Sequence, residues 1–463
     1  MDPSAGIWFW AFLGLYGLVM VAVAPRAVTA GAFYGGRDRA GRAVSPWALT
    51  GSIFISWIFA KSVTNAANLG ASHGVMGGLA YAAYWLAIPV AGWVIYRLRT
   101  REGATGLVPF LVTRYGRAAA AGFALAILIR LYNEVWSNTA VVGAYFGSPG
   151  SPAYIGAALV FTAITLAYSL KGGLRGAILT DGIQAVLFAL LLGWVLFLVV
   201  PGHGPAALAT AGGFGLAGGG DLLLVALLQV LSYPFHDPVL TDRGFLTDER
   251  TMLRAFVVAG LLGFVAILAF SLVGVHARLS GLEASANTPG AVATALGGGA
   301  LFLVTAIMIT SAGSTLDSAL AALTRLGAQD LPDVAGRPPR RPSLHTGMLL
   351  MTLFALAGNM PMLVGTEILK ATTVSGTMMM GLAPVFLLHR LTDYAPAAFH
   401  LSFWPGVAVG VALAGGWLPD ALAIGNGDYA ALLGANVYGL ALCTLGYLAP
   451  LALADRRSAE ASS

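Results

Sequence analysis

Hydroxyl and carboxyl side chains cluster at Thr310–Ser318, inside an apolar run from about Ala300 to Leu323 that is long enough to cross a bilayer. In hydrocarbon each polar group needs an internal partner, and an ionisable residue there marks a functional site. Bonds from hydroxyls to the carbonyl four residues earlier would explain two or three of them, but not five with an aspartate. Because hard cations prefer such oxygens, the stretch predicts a cation site. Its polar members are Thr310, Ser311, Ser314, Thr315, Asp317 and Ser318.

The composition predicts an all-α polytopic membrane protein. Of the 463 residues, 58% are hydrophobic and 10% are charged, which is not the composition of a soluble domain. Apolar runs predict about thirteen transmembrane helices in the lipid bilayer. The first run, Gly6 to Ala24, lacks a basic flank and is predicted to span the membrane rather than to be cleaved. The net charge of +5 is small, so we expect no nucleic-acid partner.

Arginine and lysine residues concentrate in alternate loops. They follow the odd-numbered spans, as at Arg37–Arg42, Arg97–Arg101 and Arg243–Arg254, whereas loops such as Gly147–Pro152 carry almost none. The positive-inside rule therefore predicts a cell (inner) membrane protein with its N-terminus outside and its C-terminus in the cytoplasm. The tail at 455–463 is expected to be too short for a soluble signalling domain.

Two predicted spans, the second and the seventh, are interrupted by polar residues and prolines. Proline removes a backbone donor and breaks a helix, and paired broken spans indicate an inverted-repeat transporter. We expect a five-plus-five repeat, whose halves superpose about an axis in the membrane plane. The expected units are an extra helix and loop at 1–46, repeats at 47–200 and 201–390, and two helices with a tail at 391–463. The polar residues are Lys61, Ser62, Thr64, Asn65 and Asn68 in span two, and Gln229, Ser232, Tyr233, Pro234, His236, Asp237 and Pro238 in span seven.

Three motifs carry a family resemblance. Gly172–Gln184 has the pattern G-G-L-R-x5-D-x-x-Q, and Ser314-Thr-Leu-Asp-Ser318 is followed by Asp330-Leu331. Leu107–Gly116 is a weaker match to a third pattern, L-x-E-F-L-x-x-R-Y-G. Together they resemble the sodium/solute symporter family, whose members have the leucine-transporter-type fold.

The resemblance implies a cation site between the broken second span and the ninth span. Its ligands would be backbone carbonyls near Trp57 and Ala60, the Ser311 carbonyl, and two hydroxyls. Those hydroxyls belong to Ser314 and Thr315, with the Asp317 carboxylate nearby. Asp181 would lie near the cytoplasmic exit and serve sodium there.

Lys61 departs from what the resemblance implies, because an ammonium beside cation-binding carbonyls is unusual. Three roles remain open: a structural pair with Glu134, replacement of the coupling ion, or a partner for a substrate carboxylate. Arg130 shares a helical face with Glu134 and is a second candidate for a structural pair. Asp237-Pro-Val also replaces the Q-P-H that the family has after the seventh-span break.

The expected function is secondary active transport, with cation-coupled (sodium) symport of a small polar organic solute by alternating access. The alternatives are proton-coupled or uncoupled transport with Lys61 replacing sodium, and a solute-sensing membrane module. We expect no cofactor beyond the coupling ion and no enzyme activity, since the chain lacks a nucleophile–base pair. His73, His203 and His276 have no metal-ligand spacing, and His236 and Asp237 are a candidate proton relay. The predicted solute contacts are Lys61, Asn65, Asn68, Asn133, Glu134, Gln229 and Tyr233.

Overall fold

The computed structural model describes residues 3–337, 342–360, 375–391 and 395–462, and all regular structure in these ranges is helical. The all-α prediction is confirmed. The helices are α1 (Pro3–Val23), α2 (Ala30–Gly35), α3 (Pro46–Ser56), α4 (Ala60–Ala82), α5 (Ala87–Glu102), α6 (Leu107–Tyr115), α7 (Arg117–Ala144), α8 (Pro152–Val199), α9 (Pro205–Thr210), α10 (Gly220–Gln229), α11 (Pro238–Thr241), α12 (Glu249–Leu279), α13 (Thr288–Leu296), α14 (Gly298–Arg325), α15 (Leu331–Val334), α16 (Leu344–Gly358), α17 (Ser375–Leu387), α18 (Pro396–Ala414) and α19 (Ala430–Ser462).

Within the described ranges, eight helical stretches are long and apolar enough to cross a bilayer, and three shorter apolar helices accompany them. Helix α8 has 48 residues, which at 1.5 Å per residue is about twice the thickness of a hydrocarbon core. It bends at Gly173 (φ 54°), and each side of the bend is long enough to cross once. A Cβ at Gly173 would lie 2.6 Å from the Phe33 carbonyl oxygen. The second glycine of the first motif is therefore required, because a side chain at this position would collide with Phe33. The count of thirteen spans stays a prediction.

The second half of α8 exposes large apolar side chains. Leu190, Trp194 and Phe197 are 68%, 61% and 73% exposed. A contiguous apolar surface of this kind is unfavourable in water and suits contact with lipid tails. Together with the apolar helices, it identifies a multi-pass membrane protein.

Span two is broken between α3 and α4. Helix α3 ends at Ser56, Phe59 is extended (φ −66°, ψ 144°), and α4 begins at Ala60. The predicted interruption is confirmed, although it lies just before the polar residues that suggested it. Those residues, from Lys61 to Asn68, are helical.

Span seven is broken over a longer stretch. Helix α10 ends at Gln229, a single 3₁₀ turn covers Tyr233–His236, and α11 begins at Pro238. Asp237 is extended, and its Oδ1 accepts a hydrogen bond from the Val239 amide at 3.0 Å. The carboxylate therefore caps a short helix that starts in the middle of the membrane protein.

Helices α4 and α12 pack backbone against backbone through glycines. A Cβ at Gly70 would collide with the Ser271 carbonyl oxygen, and one at Gly274 with the Ala67 carbonyl oxygen. Gly274→Ala is expected to destabilise the protein by about 1–3 kcal/mol, because one of the helices must move away. The melting temperature of the purified protein measures this effect.

Gly193→Ala is the matched control, because a Cβ at that position in α8 meets nothing within 4 Å. This change should leave the melting temperature unchanged or raise it slightly, since alanine is the better helix former. Equal melting temperatures for both variants would show that α4 and α12 are not in close contact.

Candidate functional site

The hydroxyl-rich part of α14 faces the break in span two. Ser311 Oγ donates a hydrogen bond to the Ile58 carbonyl. Thr315 Oγ1 lies 3.4 Å from the Ser56 carbonyl oxygen and 3.2 Å from that of Ser311. The structure therefore brings unwound carbonyls and α14 hydroxyls to one place. Of the implied ligands, Thr315 is there through its hydroxyl, Ser311 contacts the break through its hydroxyl and not its carbonyl, and Ser314 donates to Asp181 instead.

The carbonyls in contact with α14 are neighbours of the two predicted ones. In a continuous helix the Ala60 amide would bond to Ser56, but it bonds to Asn138 Oδ1 at 3.2 Å. The Ala60 carbonyl accepts from Thr64 at 3.1 Å, and no contact joins the Trp57 carbonyl to α14. The carbonyls that meet α14 are thus Ser56 and Ile58, one and two residues before the predicted Trp57 and Ala60. Ser56 Oγ, also at the break, is buried without a hydrogen-bond partner in the described part of the chain.

Asp181 lies beside this cluster and is fully buried. Its carboxylate accepts hydrogen bonds from Ser52 at 2.5 Å and from Ser314 at 2.8 Å. Arg243 donates to the same carboxylate at 3.1 Å, and to Ser318 on α14 at 2.7 Å. Asp181 therefore links three helices through its two oxygens.

Arg243 is the residue of this cluster that sequence reasoning missed. Its position after span seven suggested a cytoplasmic loop residue, but its side chain is buried. It also donates to the Val239 carbonyl and to Ser52. No local pattern distinguishes it from the loop arginines, because its partners lie far away in the sequence.

Asp317 points toward α8 instead of toward the break. Its two oxygens accept from Thr180 and Ser318, each at 3.1 Å. Asp181 and Asp317 are both fully buried, and among the described residues only Asp181 pairs with Arg243.

A second buried cluster joins four charged side chains and is neutral as a whole. Lys61 Nζ lies 2.6 Å from Glu134 Oε1, and Arg130 pairs with the same oxygen. Arg130 also lies 3.1 Å from Asp237, and Asn138 donates to Glu134 Oε2 at 3.1 Å. All four charged side chains are at most 3% exposed. Both of the structural pairs proposed from the sequence, Lys61–Glu134 and Arg130–Glu134, are present.

Asp237 connects this charged cluster with both broken spans. Besides capping α11, it accepts a hydrogen bond from Trp57 Nε1 at 3.0 Å. Trp57 belongs to the break in span two and Asp237 to the break in span seven. Asp237 thus acts as a structural connection between the breaks.

A small aromatic cavity lies against both breaks. Its volume is about 30 Å³, room for one or two water molecules. Tyr233 is the only predicted solute contact among its lining residues. The remaining side chains were not predicted, although the aromatic residues at 81, 84 and 85 follow helical spacing. The lining is Trp57, Phe59, Ser62, Tyr81, Tyr84, Trp85 and Tyr233.

The three predicted asparagines lie at different distances from this cavity. Asn65 donates to the lining residue Tyr81 at 3.2 Å. Asn68 accepts from the Thr288 amide at 3.0 Å, which ties α4 to the start of α13. Asn133 is half-buried and does not line the cavity. Asn65 is therefore the one asparagine next to the cavity.

Gln229 belongs to a polar network behind the cavity. Its Oε1 accepts from Tyr84 at 2.9 Å, and its Nε2 donates to Asn436 at 3.0 Å and to Thr377 at 3.3 Å. The network joins α10 to α17 and α19. Gln229 thus reaches the cavity through Tyr84.

His236 is buried beneath the cavity wall. Its Nδ1 lies 2.6 Å from the Tyr233 carbonyl, and its Nε2 has no hydrogen-bond partner among the described residues. Its ring packs edge-on against that of Tyr233 at 5.0 Å between centroids. The candidate relay of His236 and Asp237 stays a prediction, because no contact joins the two side chains.

Residues 39–211 match the family model described as the sodium:solute symporter family. Mouse (Mus musculus) sodium/glucose cotransporter 1 is 30% identical over 158 residues, which are 33% of this chain and 23% of that protein. Human (Homo sapiens) sodium/glucose cotransporter 4 is 26% identical over 191 residues, 40% of this chain and 27% of that protein. The matches thus span about a quarter of the length of these relatives.

Two solved structures share the fold over nearly the whole chain. A Na⁺-coupled sialic acid symporter in a substrate-bound outward-open state has a TM-score of 0.74 at 17% identity, covering 96% of this chain and 98% of that chain. A nucleobase-cation-symport-1 family transporter has a TM-score of 0.59 at 15% identity, covering 92% and 94%. The family model therefore confirms the motif-based resemblance to the sodium:solute symporter family over residues 39–211, and the two structures show that the chain shares their fold.

Proposed function

We propose that this protein is a secondary active transporter that couples the movement of sodium to the symport of a small organic solute by alternating access. The observation that carries the proposal is the contact of Ser311 and Thr315 with carbonyls freed by the break in span two. Unwound carbonyls and hydroxyls supply the oxygen shell that a sodium ion needs.

The position of Lys61 supports sodium over the alternative in which this ammonium replaces the ion. Its Nζ is held by Glu134 at 2.6 Å, in a cluster whose charges already balance. The carbonyls at Ser56 and Ile58 are in contact with α14 hydroxyls instead. Lys61 would have to leave Glu134 in order to replace the ion at these carbonyls.

The solute is proposed to bind in the aromatic cavity, with Asn65 and Tyr233 at its edge. The adjacent charges are paired with one another, so a solute carboxylate would find no free counter-ion. A neutral solute with an apolar face therefore fits best. The cavity volume is only about 30 Å³ in this conformation of the protein. A solute larger than a few water molecules would therefore bind in a conformation of the protein with a wider cavity.

The topology and repeat organisation complete the proposal. From the charge and span patterns we propose a location in the inner membrane, with the N-terminus outside and the C-terminus in the cytoplasm. The proposed repeats cover 47–200 and 201–390. Matching breaks in the second and seventh spans support the repeats. A solute sensor of the same fold would bind solute and ion but would not accumulate the solute in vesicles.

Ser314→Ala and Thr315→Ala should each reduce the affinity for sodium, because each removes an oxygen near a desolvated ion. The expected loss of binding free energy is about 1–3 kcal/mol, or roughly 5- to 150-fold in the half-saturating sodium concentration. The test needs a solute, identified by thermal shift with and without sodium. Sodium-dependent uptake into proteoliposomes is then measured for both variants and for the double variant.

Thr305→Ala is the matched control for these two variants. Thr305 lies on the same helix, is buried, and donates to the Leu301 carbonyl four residues earlier at 2.8 Å. It lies away from the break and should leave the sodium response unchanged. Normal sodium dependence in the double variant would reject the proposed ion site.

A further inference from the structure

Two histidines outside the proposed transport site face each other at one end of the molecule. His203 lies in the turn after α8, and His276 in the last turn of α12, 73 residues later. His203 Nε2 is 3.0 Å from His276 Nδ1, and Ser280 Oγ is 3.3 Å from the same Nε2. Both rings are only partly buried, so solutes in water can reach them.

The nitrogen of His276 that faces the other ring is Nδ1. It lies across a single shared hydrogen from His203 Nε2, because each neutral imidazole carries one N–H and offers a lone pair on its other nitrogen. A cation that displaces this hydrogen meets a lone pair on each ring, which is how neutral histidines bind metals.

We propose that His203 and His276 bind a divalent transition-metal cation of the Zn²⁺, Ni²⁺ or Cu²⁺ class. The metal replaces the hydrogen shared between the rings, and the ring that held this hydrogen carries its proton on its other nitrogen instead. Metal–nitrogen distances of about 2.0–2.1 Å are compatible with two nitrogens roughly 3 Å apart. Ser280 and water complete the shell, because the described residues contain no group of three or more His, Cys, Asp or Glu side chains suited to a metal.

The bound metal would link the end of α8 to the end of α12. These helices belong to different predicted repeats, and a metal bound to both ends would restrain their relative movement in a transport cycle. The metal therefore acts as an inhibitory clamp on one face. This consequence rests on the proposed function, whereas metal binding itself does not.

The test is a titration of tag-free purified protein with NiCl₂ or ZnCl₂, followed by calorimetry and by the metal-induced rise in melting temperature. His203→Gln and His276→Gln should each lower the metal affinity by at least about tenfold, because each removes one metal ligand. His73→Gln is the control. The Nε2 atom of His73 lies 3.2 Å from an Asp428 oxygen, and His73 is not in contact with His203 or His276. Metal-free melting temperatures show that each variant is folded.

Equal metal affinity in the wild type, His203→Gln and His276→Gln would overturn the site, as would an equal loss in His73→Gln. In vesicles, Zn²⁺ should inhibit wild-type uptake and spare the His203→Gln variant. Inhibition of both alike would overturn the clamp. Intact metal binding in a protein without sodium-dependent uptake would count against the transport function and leave the metal site standing.

Discussion

Replacing Glu134 with glutamine is expected to cost about 3–5 kcal/mol of stability, because it leaves buried cations without sufficient compensation. Lys61 and Arg130 would share only Asp237. The loss should appear as a lower melting temperature and a lower folded yield in detergent. Glu249→Gln is the control, since Glu249 pairs with Arg99 at 2.8 Å but is 40% exposed, and such a pair contributes about 0–1 kcal/mol.

The double variant Lys61→Met with Glu134→Gln should recover much of this loss. It removes one charge of each sign and leaves Arg130 paired with Asp237 at 3.1 Å. Rescue is the signature of a coupled pair. A double variant no more stable than Glu134→Gln alone would contradict the structural role of Lys61.

Uptake by Lys61→Ala, measured without sodium and at saturating sodium, distinguishes the other two roles of Lys61. A lysine that replaces the ion predicts sodium-independent uptake by the wild type and a gained sodium response in the variant. A lysine that binds a substrate carboxylate predicts a higher KM for acidic solutes in a folded Lys61→Gln variant. Wild-type affinity, sodium response and folding in Lys61→Ala would exclude all three roles.

Arg243→Met is the second change with a large expected effect, again about 3–5 kcal/mol, because Asp181 would lose its buried counter-ion. Arg254→Met is the control: this arginine lies on α12 with its side chain exposed, where substitutions usually change stability by about 0.5 kcal/mol or less. The melting temperatures of the two purified variants measure the difference. Similar values would show that the Arg243–Asp181 pair does not stabilise the fold.

Asp181→Asn separates the role of this carboxylate in ion binding from its role in folding. Asparagine can still accept from Ser52 or Ser314, and it removes the negative charge. We therefore expect a lower melting temperature, because Arg243 loses its buried counter-ion. In the protein that folds, the half-saturating sodium concentration should be raised by about tenfold, the equivalent of about 1.4 kcal/mol. Unchanged sodium dependence would place the ion away from Asp181.

The fold was largely predictable from the sequence, because hydropathy, interrupted spans and the Gly172–Gly173 pair act locally. The position of the first break was not, since Trp57-Ile-Phe contains neither proline nor glycine. The polar run after it pointed to the correct span but is itself helical. Tertiary contacts, such as the bond between the Ala60 amide and Asn138, fix the break.

The site was predicted in part, and the missing part depends on distant contacts. Ser311 and Thr315 were found because they interrupt an apolar run. Arg243 and the His203–His276 pair were missed, because their partners lie 62 and 73 residues away. No local pattern encodes such contacts. The lining of the aromatic cavity was missed for the same reason, since its aromatic residues come from separate helices.

The hydrogen bond between Trp57 and Asp237 has a thermodynamic consequence for the proposed transporter. Trp57 lies between the two carbonyls that meet α14, and its indole also lines the aromatic cavity. Ion and solute would therefore act on the same residue from opposite sides. The factor by which sodium tightens solute binding must then equal the factor by which the solute tightens sodium binding, so either ligand can be used to measure the coupling.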